Sequence, residues 1–428
     1  MKKATYLILG NSAAAIGCIE GIRQIDKTGS ITVIASESHH CYGRPLISYL
    51  LMGRTDIEHM KYRDADFYEK NNVTFMPGET ATEINSDKKT VTLASGTVLE
   101  YEKLLNATGS RPFVPPMTGL DTLKKYFTFM DLDSALEIEK YLTPESNVLI
   151  IGAGLIGTKC AEGIADRVKS TTIVEMAPRI LPVVMPEEGS AIVQKELEKH
   201  NIHFVLGDSV GEFVKGKNIG GTAILKSGNG KIEFDILICA VGVRPNSQLI
   251  ENAGGEVDRG IVVDKNCKTS LKDIYAAGDC VTSDDITSGT RHMLALMPNA
   301  YIEGETAGIN MAGGSKEYTT EFAMNAAGFF DLHIVSAGSY VGECVDASYK
   351  GCPAVGDIPE KKPSYRKFFV DKDTLKGFIM IGDVKRAGIY TSLIRKQTPL
   401  SSIEFDEIIN QPQLMAFSKT ERKAILAQ

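Results

Sequence analysis

Two apolar runs in this chain stop at a glycine and are followed by small and apolar residues at helical spacing. The first is LILGNSAAAIG, residues 7 to 17, and the second is VLIIGAGLIGTKCAEG, residues 148 to 163. A short apolar run that ends at glycine is typical of a buried strand, and the periodic segment after it is typical of a helix. The β-branched stretches SITVIASE and STTIVE predict a second strand after each helix. The pattern therefore predicts the same strand–turn–helix–strand unit twice.

The second unit carries a complete dinucleotide fingerprint. Gly152, Gly154 and Gly157 have the G-x-G-x-x-G spacing, which allows a tight turn, close approach of a pyrophosphate and close packing of helix on strand. The helix N-terminus that follows offers free N–H groups and a positive dipole end to phosphates. Glu175 ends the next strand, 23 residues after Gly152. A carboxylate there binds both ribose hydroxyls and repels a 2′-phosphate, so the sequence favours NADH over NADPH.

The first unit is an altered copy of this loop. Gly10 is present, Ser12 takes the place of the second glycine, Ala15 takes the third, and Glu37 closes the next strand. Serine is the smallest polar substitute and can donate a hydrogen bond to a phosphate. For one loop alone, a glycine turn in an unrelated α/β fold is the alternative; the repetition argues for two dinucleotide sites. Two such sites suit a flavin that is reduced by a nicotinamide.

Composition and charge exclude several classes of protein and are consistent with two dinucleotide-binding units. The 428 residues predict two or three domains, and the formal charge of −7 gives no reason to expect nucleic acid or an anionic membrane. The apolar run after the first lysines is too short for a signal peptide, and no stretch reaches the length of about 18 residues that a membrane span needs. The eight cysteines are scattered without a C-x-x-C pair, which indicates a reducing cytoplasm and neither a disulfide framework nor a metal-ligand set.

Four further segments make residues 4 to 320 resemble the pyridine nucleotide–disulfide oxidoreductase superfamily, the flavoproteins with two dinucleotide-binding domains. LLNATGSRP, residues 104 to 112, resembles the exit from the FAD domain, and LICAVGVRPN, residues 237 to 246, resembles the exit from the NAD domain. IYAAGDC, residues 274 to 280, resembles the second FAD motif, and MPNAYIEGETAGINMAGG, residues 297 to 314, resembles the helix after it. The resemblance implies FAD and NADH as cofactors.

The same resemblance assigns roles within these segments. Gly109 and Gly242 permit turns of the backbone close to a cofactor. Asp279 would bind the ribityl chain, with a plain turn aspartate as the alternative. Pro298 suits the first turn of a helix whose N-terminus would face the flavin.

The segment CYGRPLISYLL, residues 41 to 51, resembles the Y-x-R-P motif of nitrite reductase flavodomains and of rubredoxin and ferredoxin reductases. Tyr42, Arg44 and Pro45 match that motif. Arg44 and Pro45 would then line the FAD pyrophosphate and ring. A turn before a helix is the alternative reading of these residues.

Two features depart from the family pattern, a charged pair and a cysteine. Many relatives pair a lysine near flavin N5 with a glutamate on the helix of the NAD loop; here Tyr49 and Lys159 stand at those positions. We hypothesise that Lys159 replaces the lost lysine, while a lysine that only extends its stem along the protein surface is the alternative. Cys41 lies one residue away from the redox cysteine of thiol-dependent relatives, so we expect it to be a bystander. Cys160 and Cys280 are expected to be core residues.

Residues 321 to 428 are predicted to form a third, C-terminal domain. HIVSAGS and KFFVDKDTLKGFIMIGD read as strands, with a turn at Asp371–Thr374, whereas GIYTSLIRKQTPL and the final lysine-rich segment read as helices. The resemblance gives such a domain a role in dimerisation or in docking an acceptor. Phe329 and Phe330 are expected to lie in its core.

The sequence thus predicts an α/β fold with two Rossmann-like dinucleotide-binding domains, for FAD and NAD, plus a C-terminal α+β domain. The predicted bounds are 1–113 and 247–320 for the FAD-binding domain, 114–246 for the NAD-binding domain and 321–428 for the interface domain.

The predicted function is transfer of electrons from NADH through FAD to a redox acceptor protein or partner subunit, with a homodimer as a possible assembly. A coenzyme A disulfide reductase or NADH oxidase that uses Cys41 is one alternative, and a redox-sensing protein that only holds FAD is another. Lys159 is the candidate catalytic residue. The candidate cofactor-binding residues are Gly10, Ser12, Ala13, Ala14, Glu37, Arg44, Pro45, Ala107, Thr108, Gly109, Arg111, Gly278, Asp279, Met297, Gly152, Gly154, Leu155, Ile156, Glu175 and Gly242.

Overall fold

A computed structural model describes residues 2–228, 230–340, 342–346, 364–410, 417 and 422–423. The chain divides into two compact units. The first consists of Met1–Ile180, His200–Asp284 and Arg291–Thr319, and the second of Leu181–Lys199, Asp285–Thr290 and Thr320–Gln428. The segment Leu181–Lys199, which the sequence assigns to the NAD-binding domain, therefore clusters with the C-terminal residues.

The described residues form strands with the following bounds: β1 Lys2–Leu9, β2 Ile31–Ala35, β3 Val73–Pro77, β4 Ala81–Asn85, β5 Thr90–Leu93, β6 Val98–Asn106, β7 Ser110–Pro112, β8 Phe127–Thr128, β9 Asn147–Ile151, β10 Ser170–Glu175, β11 Ile202–Leu206, β12 Val210–Lys215, β13 Gly221–Leu225, β14 Lys231–Phe234, β15 Ile236–Cys239, β16 Val243–Pro245, β17 Val257–Asp258, β18 Gly260–Val262, β19 Ile274–Ala276, β20 Val281–Asp284, β21 Arg291–His292, β22 Met324–Phe329, β23 Leu332–Gly338, β24 Glu343–Asp346, β25 Tyr365–Asp371 and β26 Thr374–Ile381.

The described α-helices are α1 Ala13–Ile25, α2 Ile47–Leu51, α3 Phe67–Lys70, α4 Leu132–Glu139, α5 Leu155–Ile164, α6 Glu187–Glu198, α7 Gln248–Asn252, α8 Met297–Met311, α9 Ala387–Lys396 and α10 Phe405–Asn410. Single turns of 3₁₀ helix occur at Arg44–Leu46, Leu120–Thr122, Ala165–Arg167 and Leu400–Ser402. Every helix among the described residues is too short or too polar to cross a lipid bilayer.

The first sheet explains how distant segments reach one site. Its strand order is β3-β2-β1-β6-β5-β4, and β19 pairs with β6. The pairs β1–β2, β1–β6 and β6–β19 are parallel. Carboxyl ends of parallel strands meet at one edge of a sheet, where ligands bind in open α/β folds. The residues that follow β1, β2, β6 and β19 therefore share one edge, although more than 160 residues of chain separate β6 from β19.

The second sheet repeats this arrangement with the order β11-β10-β9-β15-β8, and its pairs are parallel. Strand β10 is rich in β-branched residues, which suit a pleated sheet buried on both faces. The fingerprint loop follows β9, and Glu175 ends β10 next to it. The predicted α/β fold with two Rossmann-like units is thereby confirmed.

Helices α1 and α8 cross with their backbones in contact. A Cβ added at Gly304 of α8 would overlap the carbonyl oxygen of Ala14, and one at Gly308 would overlap that of Cys18. In the other direction, a Cβ at Gly17 of α1 would overlap the carbonyl oxygen of Tyr301. Larger side chains at these glycines would push the helices apart, so glycine is required here for approach rather than for flexibility.

The second unit contains an antiparallel sheet with the order β22-β23-β26-β25-β24. Strands β25 and β26 form a hairpin with Asp371 opposite Thr374, as the sequence predicts. Helix α9 supplies buried Tyr390 to the core of this unit, and Phe329 is fully buried, as expected. Phe330 lies at the β22–β23 turn and is only half-buried. The predicted helix in the final lysine-rich segment lies largely outside the described residues.

The glycine crossing gives a direct test of the fold. We expect Gly304→Ala to lower the thermal unfolding midpoint of the FAD-loaded protein by about 2 °C or more, because overpacking costs roughly 1–3 kcal/mol. The same variant should retain less FAD after gel filtration. Gly388→Ala is the matched control: it lies in α9 with open space around its Cα, and alanine favours helix by about 1 kcal/mol. Equal midpoints and FAD contents in the two variants would contradict the proposed packing.

Candidate functional site

The first loop has the shape of a phosphate-binding turn. Gly10 has φ = +107°, and a Cβ there would overlap the carbonyl oxygen of Ala107. Helix α1 begins at Ala13 with Ser12 at its N-cap, yet the Ser12 hydroxyl makes no hydrogen bond within the described residues. An uncapped helix N-terminus leaves backbone donors free for an anion. The loop and the free hydroxyl of Ser12 therefore fit a pyrophosphate.

Residues from far along the chain close around this loop. A Cβ on Gly278 would lie 3.2 Å from that of Ala14, and the Gly278 N–H donates to Glu303 at 2.5 Å. Met297 begins α8 and packs against the core cluster that contains Ala13 and Ala14. Pro298 occupies the first turn of α8, as the sequence predicts. The structure thus brings the second FAD-like motif to the first loop.

Asp279 lies beside the exit from the first sheet. Its carboxylate accepts a hydrogen bond from the Ser110 hydroxyl at 3.2 Å. Burial raises the pKa of this carboxyl, while the Ser110 bond and the nearby charge of Arg44 act in the opposite direction. A shielded carboxylate can accept further hydrogen bonds from hydroxyl groups of a ligand, which fits a ribityl chain.

Glu37 and the Y-x-R-P residues form one network. Glu37 follows β2, pairs with the guanidinium of Arg44 and accepts a hydrogen bond from the Tyr42 hydroxyl at 2.6 Å. The same hydroxyl accepts the N–H of Leu132 at 2.9 Å. Pro45 lies in the 3₁₀ turn that carries Arg44. Arg44 and the predicted ribose ligand Glu37 are therefore held together by Tyr42.

The exits from the two sheets contact each other. The Thr108 hydroxyl donates to the Asn246 carbonyl at 3.1 Å, and the Asn246 amide donates to the Thr108 carbonyl at 2.8 Å. Gly109 and Gly242 have φ of +63° and +129°, so both turns use conformations that favour glycine. The Gly242 carbonyl accepts the N–H of Phe113 at 2.9 Å. The expected turns at Gly109 and Gly242 are present.

Arg111 contacts the second exit segment and the helix after it. Its guanidinium donates to the Pro245 carbonyl, the Asn246 side chain and the Gln248 side chain at 3.2, 3.0 and 2.9 Å. Pro245 and Asn246 belong to the second exit segment, and Gln248 begins α7. Its assignment as a cofactor ligand stays a prediction.

The three glycines of the second loop have different surroundings. Gly152 has φ = +104°, and a Cβ there would lie 2.5 Å from the carbonyl oxygen of Ala240. A Cβ on Gly157 would overlap the carbonyl oxygen of Gly152. At Gly154, in contrast, a Cβ would meet nothing within 4 Å. Gly152 and Gly157 serve the fold, whereas the open space at Gly154 fits a ligand that approaches the backbone.

The carboxylate of Glu175 contacts this second loop. Its two oxygens accept the N–H groups of Ala153 and Ala177, each at 2.8 Å. Helix α5 begins at Leu155 and Ile156 and has no side-chain cap. The loop therefore presents free backbone donors for a pyrophosphate and a fixed carboxylate for a ribose, which fits a nicotinamide dinucleotide.

Lys159 contacts the residue that has replaced the family lysine. Its Nζ lies 4.6 Å from the centroid of the Tyr49 ring and forms an ion pair with Glu162, whose side chain is almost fully buried. Burial and the charge of Glu162 raise the pKa of Tyr49. Gly163 packs against the Ser48 backbone, so α2 and α5 are in direct contact. Tyr49 and Lys159, which stand at the positions of the family's lysine and glutamate, thus lie side by side.

The thiols near the loops are shielded from water. Cys41 is buried, and burial raises its pKa to about 12 even though Arg44 and Arg63 act against the shift. Cys160 and Cys280 are fully buried with raised pKa values, which suits core residues. A thiol attacks as the thiolate, so such cysteines are poor nucleophiles. Cys352 lies outside the described residues.

Sequence reasoning missed three side chains of these sites. Tyr42 was matched to a motif but not to its role as a bridge, and Ser110 was not singled out. The contact of Tyr42 with Leu132 and that of Ser110 with Asp279 each join residues more than 80 positions apart, so no local pattern reveals them. Glu162 could have been found, because residues three apart on a helix lie on one face.

Two dinucleotide loops of this geometry, each at the end of parallel strands within one compact unit, define an oxidoreductase of the two-domain flavoprotein class. Residues 4–304 match the pyridine nucleotide-disulphide oxidoreductase family, and the chain belongs to that family. Residues 325–398 match the C-terminal domain of rubredoxin NAD+ reductase. The expected resemblance, enzyme class and cofactors, FAD and NAD(H), are confirmed.

Two curated relatives and one solved structure are similar over most of the chain. The NADH-dependent phenylglyoxylate dehydrogenase subunit epsilon of Aromatoleum evansii is 31% identical over 409 residues, which cover 95% of this chain and 94% of that subunit. The nitrite reductase [NAD(P)H] of Bacillus subtilis is 28% identical and aligns with 94% of this chain, which spans only 48% of that enzyme. The structure of NADH:rubredoxin oxidoreductase from Clostridium acetobutylicum aligns with a TM-score of 0.74 and 26% identity, over 96% of this chain and 100% of that one.

Glu175 allows a test of nucleotide choice. We expect Glu175→Ser to lower kcat/KM for NADH by about tenfold, because two hydrogen bonds to the ribose are lost. The value for NADPH should rise, since the repulsion of a 2′-phosphate disappears. Steady-state kinetics with both nucleotides measure the ratio, and exposed Glu145→Ser serves as the control. An unchanged NADH-to-NADPH ratio in a folded Glu175→Ser protein would exclude this role.

Proposed function

We propose that this protein carries electrons from NADH through FAD to a small iron–sulfur or rubredoxin-like protein or to a partner subunit. The observation that carries the proposal is the pair of dinucleotide loops, each at the end of parallel strands within one compact unit. The shielded thiol of Cys41 beside the first loop supports a flavin-only route.

The two loops divide the cofactors between them. The first loop, with Ser12, Glu37 and Asp279, would hold FAD, and the second loop, with Gly154 and Glu175, would hold NADH. Bound FAD supplies the step from a two-electron donor to one-electron acceptors. The residues of the chain supply alignment and a fixed electrostatic environment, which is what hydride transfer requires of a protein.

The relatives support a protein acceptor. The C-terminal residues match the rubredoxin NAD+ reductase C-terminal domain, and the structure at 26% identity is that of an NADH:rubredoxin oxidoreductase. An acceptor of this class passes single electrons and needs no bound thiol on the reductase. We therefore place a small redox protein first among the acceptors.

A partner subunit is the second candidate acceptor. The relative from Aromatoleum evansii, which aligns over nearly its full length, is itself named as a subunit of a dehydrogenase. A chain of the same extent could serve a larger complex in the same way. This reading predicts slow turnover alone and co-purification of the electron-accepting subunit.

The cysteines bear on the compartment of the protein. We propose the reducing cytoplasm as the compartment, because Cys18, Cys41, Cys160, Cys239 and Cys280 are free thiols. A homodimer is the assembly that we propose when no partner subunit is present.

Two alternative functions make different predictions. A redox sensor would hold FAD but turn over with no acceptor, and a thiol enzyme would need a reactive Cys41.

An anaerobic titration of the FAD-loaded protein with NADH tests the proposal. We expect uptake of two electrons per FAD, in both the natural protein and Cys41→Ser, because the buried thiol takes no part. Rubredoxin or ferredoxin added afterwards should reoxidise the protein over many turnovers.

Uptake of four electrons, with a long-wavelength charge-transfer band that disappears in Cys41→Ser, would establish the thiol alternative. Two-electron uptake without reoxidation by any acceptor would favour the sensor instead.

We further propose that Lys159 acts as a catalytic residue beside the nicotinamide and the flavin. Its helix α5 starts at the nicotinamide loop, and Tyr49, which it contacts, lies on α2 directly after the Y-x-R-P segment. Its side chain is 15% exposed, so its charge acts in a partly desolvated space. A cation held there would favour negative charge that develops on the cofactor.

The Lys159→Met variant tests this role by stopped-flow reduction with NADH. We expect the rate constant of flavin reduction to fall about tenfold or more, because the cation is lost. A tenfold fall corresponds to an increase of ~1.4 kcal/mol in the activation free energy. The double variant Lys159→Met/Glu162→Gln should be equally slow, which separates the missing cation from an unpaired buried carboxylate. Exposed Lys169→Met is the control. A normal rate in the folded double variant would refute a catalytic role.

A further inference from the structure

A short ribbon joins the exits from the two sheets and carries a concentration of positive charge. Strands β7 and β16 pair antiparallel, and Arg111 lies directly opposite Arg244. Both are exposed, and together with Arg259 they line a groove of about 570 Å³. We call these three residues and the space between them the arginine groove.

None of the three arginines forms an ion pair with a carboxylate in the part of the chain that the structure describes. The hydrogen-bond partners of Arg111 are neutral, and Arg244 lies over the ring of Phe113 with its guanidinium carbon 4.4 Å from the centroid. In contrast, Arg44, Arg63 and Arg167 each pair with a glutamate. Three unpaired cations in one groove are unexpected in a chain with a net charge of −7.

The groove also contains two locally unfavourable arrangements. Like charges directly opposite each other on paired strands repel, and Arg111 and Arg244 are in that position. Arg259 has φ = +58°, a left-handed conformation that glycine or asparagine adopts at lower cost. Departures of this kind concentrate at functional sites, where another requirement has shaped the sequence.

We propose that the arginine groove binds a small polyanion that carries phosphate groups, in addition to the two dinucleotides. Guanidinium groups bind phosphate oxygens in a bidentate manner, and three of them around one space match a ligand with at least two phosphates. The volume is within the range of small-molecule sites, whereas an acidic protein surface would not need a concave groove. Gln248 and Phe113 add one polar and one apolar wall.

The position of the groove connects it to the first cofactor site. Ser110 precedes Arg111 on β7, and neighbouring residues on a strand point to opposite faces. The Ser110 hydroxyl donates to Asp279, the residue that we propose binds FAD. One face of the ribbon therefore contacts Asp279, while the other face carries the arginines. The ribbon also includes the exit from the second sheet. A bound polyanion would therefore hold together the two segments that leave the nucleotide domains.

Calorimetric titration of the FAD-loaded protein with inorganic pyrophosphate tests the site. Saturating NAD+ and constant ionic strength keep both dinucleotide loops occupied and remove general salt effects. We expect one site per chain, and a tenfold or larger loss of affinity in Arg244→Gln and in Arg259→Asn. Arg259→Asn should keep or raise the thermal midpoint, because asparagine tolerates the left-handed conformation. The control is Arg54→Gln, an exposed arginine outside the groove that should bind like the natural protein.

A second titration with ADP identifies the source of the phosphate groups. Tighter binding of ADP than of pyrophosphate indicates a nucleotide, and equal or weaker binding indicates phosphate alone. The proposal is overturned if neither compound binds, or if the groove variants bind as well as the natural protein. It is also overturned if only an acidic redox protein binds, with an affinity that falls with salt and is lost in the same two variants.

Discussion

The contact of α1 and α8 backbone to backbone is the constraint on which the first site depends. Because glycines stand where the helices cross, no side chain separates them, and α8 is held against the helix that follows the first loop. With α8 in this position, Gly278 lies next to Ala14, although more than 260 positions separate them in the sequence. The parallel sheet then aligns the strand ends, so that a loop, a hydroxyl and a carboxylate share one edge without being close in sequence.

The contact of Lys159 with Tyr49 joins α5 to α2. Lys159 pairs with Glu162 one turn further along α5, and the tyrosine ring offers the lysine a face that attracts cations. Tyr49 and Lys159 stand where the resemblance implies a lysine and a glutamate. A positive charge is therefore present at the junction of the two helices, and α5 supplies it.

Local patterns predicted the loops well and the contacts between distant segments poorly. Gly152, Gly154 and Glu175 could be assigned because a glycine turn, a helix start and a strand end are encoded within about 30 residues. The bridge from Tyr42 to Leu132 and the opposition of Arg111 and Arg244 depend on register between remote segments, which periodicity does not contain. The clustering of Leu181–Lys199 with the second unit has the same cause: an apolar helix face shows that α6 is covered, but not by which sheet.

The two copies of the loop share only their first glycine, since Gly154 and Gly157 of the second loop correspond to Ser12 and Ala15 of the first. Gly10 and Gly152 persist in both copies because a methyl group there would enter a neighbouring carbonyl oxygen. The position of Gly154 faces open space, and in the first copy it has become Ser12. A duplicated binding unit can therefore diverge at this position while it keeps its fold. The same turn can in this way accommodate two different ligands.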